Sequence, residues 1–374
     1  MNIKVCHLSS LHPVLDTRIY FKECKSLAET GYRVVLIAVS ENQTTDSPAA
    51  ESGIEIIPFP RYKNRLKRIL LSPFKMYSMA RKQKADFYHF HDPELLITGI
   101  LLKWFTRSRV IYDIHEDYAK NLLDKEWIKF KFLRKVTGKL FYFFEKWVSR
   151  WMSANIVVLP HWMDKFPRAV LVRNYPFLEQ MTKNRDNRDE DSFVYVGTIG
   201  SKRCALEMIR VFLELRKLIP GIRFRIIGNF FEKAVEAAVL DYVRRFPEIE
   251  YLGYLPFPEA RKVLVRSRYG FVLYAGIKYS ENIPVKMYEY LANGVIPIFS
   301  SFDDFKYNIE SEGWGIGVNP LEPVNAAQRI YAIITDSEKL NTLEENIKKY
   351  QAKYSWESEK EELLGIYKRL SGSG

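Results

Sequence analysis

Short apolar runs alternate with stretches of helical spacing along almost the whole chain. Residues 3–8, 33–39, 86–90, 109–113, 155–159 and 169–172 each have the length and composition of one buried strand. The second half repeats the pattern at 192–196, 222–227, 249–252, 270–275 and 295–299. Between these runs, apolar residues recur at three- and four-residue intervals, which predicts helices near 17–30, 61–84, from the turn at 197–203 to 218, and at 231–246, 256–268 and 284–293. Further elements continue to about 335, and helices to about 370. Strand and helix in steady alternation predict parallel sheets covered on both faces, an α/β doubly wound architecture. No short-period repeat is present, only two similar halves.

Length and composition sharpen that picture. A chain of 374 residues, 47% of them hydrophobic, supplies two cores rather than one. The polar stretch 177–191 reads as a linker, which gives domains at 1–176 and 192–354. No run of 18 or more uncharged apolar residues occurs, so no spanning helix is expected. The start lacks a basic-then-apolar leader, so no signal peptide is expected either. Cys6, Cys24 and Cys204 are few and scattered, which fits a reducing compartment and provides no disulfide framework. The net charge of +12 is carried wholly by residues 1–176, where 29 Lys and Arg face 17 Asp and Glu. That asymmetry calls for an anionic partner of the first half: phospholipid headgroups, a lipid diphosphate or nucleic acid. Two segments concentrate it. Residues 61–84 hold nine basic side chains and no acid, interleaved with apolar ones, and residues 125–152 combine eight basic side chains with nine aromatics. Both read as faces for an anionic bilayer, although a basic helix packed on a sheet would show much the same pattern.

The chemistry concentrates at strand ends. Residues 270–300 form a strand–loop–helix–strand unit, with Pro284 suited to the start of the helix and Gly294 to its end. Glu281 precedes that helix, Lys286 lies in its first turn and Glu289 in its second. A cation there opposes the helix dipole unless it meets an anion, so the helix start with Lys286 reads as a seat for a diphosphate. On spacing alone, a helix with solvated charges fits equally well. Gly197-Thr-Ile-Gly-Ser-Lys202-Arg203 is a second strand-to-helix turn where backbone and two cations can approach phosphate. In the first half, Asp16 and Arg18 precede a helix that Asp16 can cap. His91, Asp92 and Glu94 follow one strand, and His115 follows the next. Parallel strands joined by a helical crossover would bring both clusters to one sheet edge. No metal is expected at His89-x-His91 or Asp113-x-His115, because a third and fourth ligand are not apparent and side chains alternate in direction along a strand. Asp189-Glu-Asp191 matches a metal-binding D-x-D pattern, but in a charged linker it reads as coincidence.

Glu281 and Glu289 at this separation, with Asn282, Pro284, Lys286, Tyr288 and Gly294, resemble the donor motif of retaining family 4 glycosyltransferases of the GT-B fold. His12-Pro13 and Asp16-Thr-Arg18 resemble a subgroup in which this segment replaces the usual glycines, and Arg173-Asn-Tyr-Pro176 resembles the motif that ends the first domain. The resemblance implies two doubly wound Rossmann-like domains facing across a cleft, with the last helix, about 355–370, returning to the first. It assigns Glu281 to the donor sugar, Glu289 to the ribose, Arg203 and then Lys202 to the diphosphate, and the turn at Gly253-Tyr254 to the base. Gly197 and Asn282 join the donor set, and His115 lies by the transferred sugar. Asp16, Arg18, His91, Asp92 and Glu94 fall on the acceptor side. The implied reaction transfers a sugar from a nucleotide diphosphate sugar to a glycan, lipid-linked, in cell-surface polysaccharide synthesis at the cytoplasmic face of the membrane. It implies no metal and no cofactor. Two alternatives stand beside it. A GT-B sugar-nucleotide epimerase would use the same donor pocket, and a nucleic-acid-binding protein would explain the charge but not the acidic pair in the neutral half. A Rossmann dehydrogenase is not expected, since no strand is followed by G-x-G-x-x-G.

Overall fold

Two parallel sheets organise the chain. The computed structural model describes residues 3–40, 53–62, 64–115, 117–118, 131–177, 189–276, 284–301, 309 and 311–372. One compact unit comprises Met1–Asn174 with Glu359–Gly374, and the other Tyr175–Ser358.

In the N-terminal unit the described elements run β1 (Lys4–Pro13), α1 (a π-helical stretch Thr17–Cys24 continuing as the α-helical Lys25–Glu29), β2 (Arg33–Val39), β3 (Ile54–Phe59), α2 (Arg65–Lys82), β4 (Phe87–Phe90), α3 (Leu96–Phe105), β5 (Arg109–Ile114), α4 (Lys131–Ser149), β6 (Ala154–Val157) and β7 (Ala169–Leu171). The strands pair in parallel in the order β3-β2-β1-β4-β5-β6-β7. β2 reads RVVLIAV, buried after its first residue, because helices cover both faces of a parallel sheet. The order reverses at β1, which lies between β2 and β4, and the carboxyl ends of such strands are where doubly wound sheets place their ligands.

The C-terminal unit repeats the plan with β8 (Asp189–Val196), α5 (Ala205–Leu218), β9 (Arg223–Ile227), α6 (Lys233–Arg245), β10 (Ile249–Tyr251), α7 (Phe257–Arg266), β11 (Ser267–Val272), α8 (Val285–Ala292), β12 (Ile296–Ser300), β13 (Ile316–Val318), α9 (Pro323–Ile334) and α10 (Ser337–Gln351). Its order is β10-β9-β8-β11-β12-β13, all parallel, so β8 and β11 flank the reversal. The last helix, α11 (Trp356–Ser371), enters the N-terminal unit at Glu359. There Tyr367 is fully buried against Phe87 and Tyr32.

Boundaries depart from the sequence pattern in three places. The helix near 17–30 opens as a π-helix, with Asp16 accepting from the backbone N–H groups of Arg18 and Ile19. β11 begins at Ser267, where a helix was expected to run on, because Ser267, Tyr269 and Gly270 pair with β8. β8 begins at Asp189, so Asp189–Asp191 is strand backbone and not linker.

Candidate active site

The carboxyl ends of β1, β4 and β5 carry a dense buried polar network. Asp113, on β5, is fully buried and receives a two-pronged contact from Arg18, with Nε at 2.8 Å and Nη2 at 2.9 Å. His91 Nδ1 lies 3.0 Å from the same carboxylate, and His115 Nδ1 3.6 Å from it. Burial alone would raise the Asp113 carboxyl, yet Arg18 and the two histidines hold it well below its ordinary range. His115 Nε2 is 3.3 Å from His12 Nε2, and His12 Nδ1 is 3.1 Å from Asp16. Burial works to raise Asp16 too, but His12 and the backbone N–H groups it caps lower it to about 2. Asp92 is fully buried and braces the end of β1, accepting from Ser9 Oγ at 2.9 Å and Ser10 N at 2.6 Å. Glu94 accepts from Ser10 Oγ at 2.8 Å and Arg68 Nε at 3.0 Å. The residues assigned to the acceptor side, with His115, therefore converge on one sheet edge: β4 and β5 are adjacent and parallel, and α1 brings Arg18 across.

Beneath this edge lie His7, Glu23, His89 and Tyr367, a layer of which sequence reading weighed only His89, without expecting a metal there. All four are fully buried. The signals were a histidine inside the apolar run of β1 and a glutamate on the inner face of α1. Residues two apart on a strand share a face. His89 and His91 accordingly point the same way, and His7 and Glu23 join them. The alternation argument therefore does not separate the two histidines, and further donor groups are supplied from distant parts of the chain.

In the C-terminal unit the site is built on close backbone approach. Gly228, at φ 142°, follows β9 so near to the turn after β8 that a Cβ would lie 1.8 Å from the carbonyl oxygen of Gly197. Gly197, at φ 141°, leaves room for Lys286, whose Nζ lies 2.8 Å from where its Cβ would stand. Lys286 is partly buried, 3.2 Å from Tyr195 Oη and 4.3 Å from that ring's centroid. Enclosure by protein, reinforced by the positive charge of Arg203, lowers its ammonium to about 7, against a smaller raising effect of Glu289. The guanidinium of Arg203 sits 4.5 Å from the Tyr274 ring centroid at the end of β11. A cation from the start of α8 and one from the turn before α5 thus act on each other, each resting on an aromatic face. Lys202, next to Arg203, accepts at its carbonyl from Ala275 N at 3.4 Å. Pro284 stands as the residue before α8, one position earlier than expected, and the helix has no side-chain cap. Tyr254 is 67% exposed beyond β10, beside Gly253 at φ 72°. Glu281 and Asn282 lie outside the described residues.

Paired doubly wound parallel sheets, each with polar chemistry at its reversal point, define the GT-B class. Residues 22–176 match the Glycosyl transferase 4-like domain, and residues 177–350 match Glycosyl transferases group 1. The chain is a glycosyltransferase of the GT-B type. Solved structures share the fold at low identity. Sucrose-phosphate synthase from Thermosynechococcus elongatus aligns at 16% identity and TM-score 0.71, covering 100% of both chains. Anabaena Alr3699/HepE in complex with UDP aligns at 11% and 0.68, again over 100% of both. An E. coli trehalose-6-phosphate protein bound with UDP-2-fluoro glucose aligns at 12% and 0.69, covering 97% of this chain and 98% of that one. No curated protein matches the sequence.

Proposed function

We propose that the protein is a retaining glycosyltransferase of family 4 that moves a hexosyl unit from a nucleotide diphosphate sugar to a lipid-linked glycan in cell-surface polysaccharide synthesis. The observation that carries this reading is the pair Lys286 and Arg203, whose positive charges act on each other at the reversal point of the C-terminal sheet and outweigh the effect of Glu289 on Lys286. Departure of a nucleoside diphosphate develops negative charge, and two cations with the uncapped start of α8 stabilise it, so the seat itself needs no metal. UDP or UDP-2-fluoro glucose on proteins of the same fold makes a UDP-sugar the first donor to test. Glu281 orients the sugar and Glu289 the ribose. Tyr254 stands beside the base. The acceptor oxygen attacks on the face from which the diphosphate leaves, the bond from the anomeric carbon to the diphosphate breaks, and the leaving oxygen takes the acceptor's proton.

The acceptor side draws on the N-terminal unit. On α4, Phe132, Leu140, Phe143 and Trp147 are exposed, and on α2, Leu70 and Phe74. These apolar side chains stand among lysines and arginines, which suits an anionic bilayer rather than a second protein. No described helix is long and apolar enough to cross a membrane. In this reading the basic and apolar faces of α2 and α4 hold the enzyme as a peripheral protein at the cytoplasmic face of the membrane.

The test is a transfer assay with UDP-, GDP- and dTDP-sugars and a lipid-diphosphate acceptor in anionic vesicles. Lys286→Ala and Arg203→Ala should each lower kcat about 100-fold or more. Turnover unchanged in both variants would remove the proposed seat. An epimer formed from donor alone would replace transfer with isomerisation.

A further inference from the structure

The four-residue layer beneath the N-terminal edge has the donor atoms of a metal site. His7 Nδ1 and His91 Nε2 are 3.0 Å apart. Glu23 Oε2 lies 3.9 Å from His7 Nδ1, 3.8 Å from His89 Nδ1 and 3.8 Å from His91 Nε2. One donor atom from each of the four residues falls within 4.8 Å of all the others. Donors around a four-coordinate zinc ion are separated by roughly 3.3 Å, given metal–nitrogen bonds of about 2.0–2.1 Å. The three Glu23 distances exceed that spacing by about half an ångström, so the carboxylate and the rings close onto such an ion by side-chain rotation.

Three further observations point the same way. Among the described residues both oxygens of Glu23 are buried without a hydrogen-bond partner, and Oε2 is the one that faces His7, His89 and His91, an arrangement rarely tolerated in a protein interior. Arg18 Nε approaches Glu23 Oε1 at 3.0 Å, but its aligned hydrogen bond goes to Asp113. Glu23 and Asp113 are fully buried carboxylates that share the buried guanidinium of Arg18, while Lys22, also buried, meets Asn174. With both ionised, the pair carries one negative charge more than Arg18 supplies, and a divalent cation balances it. Finally, His91 presents Nε2 to the cluster while its Nδ1 meets the Asp113 carboxylate, the outer support that fixes the ring of a metal-ligating histidine.

We propose that His7, Glu23, His89 and His91 bind one divalent transition ion of the zinc type. The donor set is three imidazoles and one carboxylate, fully enclosed, so the ion is structural and is taken up as the unit folds. It fixes the His91–Asp113–Arg18 arrangement from below and leaves the donor seat as a metal-free site. The ion takes the lone pair of His89 Nδ1 that the Tyr367 hydroxyl, at 2.8 Å, otherwise engages.

The experiment measures metal content of the full-length protein by mass spectrometry after expression with zinc and desalting, and the visible spectrum after exchange with cobalt. One ion per chain is expected, together with the cobalt bands of a four-coordinate nitrogen and oxygen site. His7→Gln and His89→Gln should lower the content to about a tenth or less, since each removes a ligand. Tyr367→Phe should retain the ion, whereas a purely hydrogen-bonded network would not produce one. His161→Gln, at an exposed histidine, controls for surface uptake. If the ligand variants do not fold, the wild type still decides the matter: metal content near zero after zinc exposure, or a Tm indifferent to a strong chelator, overturns the proposal. An ion retained in both ligand variants overturns it as well.

Discussion

At the scale of single residues, the decisive group is Lys286. Enclosed beside Tyr195 and Arg203, it titrates near 7, where a lysine in an unfolded chain titrates near 10.5. Between those values the unfolded chain holds the extra proton, so this lysine's contribution to stability grows as pH rises from 7 towards 10.5 and is smallest below 7. An anion beside the amine reverses the bias. Binding of UDP at pH 8 should therefore take up a proton, and affinity should fall as pH rises above about 7, by at most tenfold per pH unit. Calorimetry in buffers of different ionisation enthalpy measures the uptake, and Lys286→Met should abolish it. Uptake unchanged in that variant would place the responsible group elsewhere. The sequence exposed this lysine through its place after Pro284. Its depressed proton affinity was not legible there, because Tyr195 and Arg203 reach it only in the folded unit.

At the scale of elements, α4 shows how helical spacing and burial separate. Its sequence carries basic and aromatic residues on all sides, and spacing alone did not say which aromatics belong to the core. The fold divides them: Phe141 packs on the core cluster of the N-terminal unit, while Phe143 and Trp147 are 56% and 44% exposed. The double variant Phe143→Ser, Trp147→Ser should fold normally and lose about 10-fold or more in affinity for anionic vesicles by flotation, each lost aromatic removing about 1.5–3 kcal/mol of insertion at most. Equal binding by the variant would assign the face another purpose. The same helix carries a buried acid that meets a tyrosine of β5. Glu145 accepts from Tyr112 Oη at 2.7 Å, and burial pushes it up to about 7 despite that bond. A raised carboxyl binds its proton in the folded state first, so its contribution declines as pH rises from 4.5 to 7 and stays unfavourable above. Glu145→Gln should thus stabilise the protein at pH 8, by up to about 3 kcal/mol, and little at pH 4. Denaturant melts at the two pH values give the comparison.

At the scale of the whole molecule, the N-terminal unit is not contiguous in sequence. Residues 359–374 complete it, and Tyr367 fills a fully buried position between Tyr32, Phe87 and His89. Tyr367→Ala should destabilise this unit by about 3–5 kcal/mol, the usual cost of removing a buried aromatic. Hydrogen exchange should show faster opening in β1 and β4 while β8 and β9 keep their protection. Uniform loss across both sheets would mean that the two units unfold together.

The repeating run lengths and helical spacing determined the two α/β halves, because a parallel sheet covered on both faces demands continuous apolar strands and one-sided helices. They also located the strand-end chemistry, since polar residues cannot continue into such strands without partners. The partnership itself was decided only by the tertiary structure. Arg18 and Asp113, or His7 and Glu23, are brought together by strand order and by a π-helical start to α1, and neither follows from local spacing. Local pattern encodes burial and periodicity. Which distant charge neutralises which depends on the order in which the strands lie side by side.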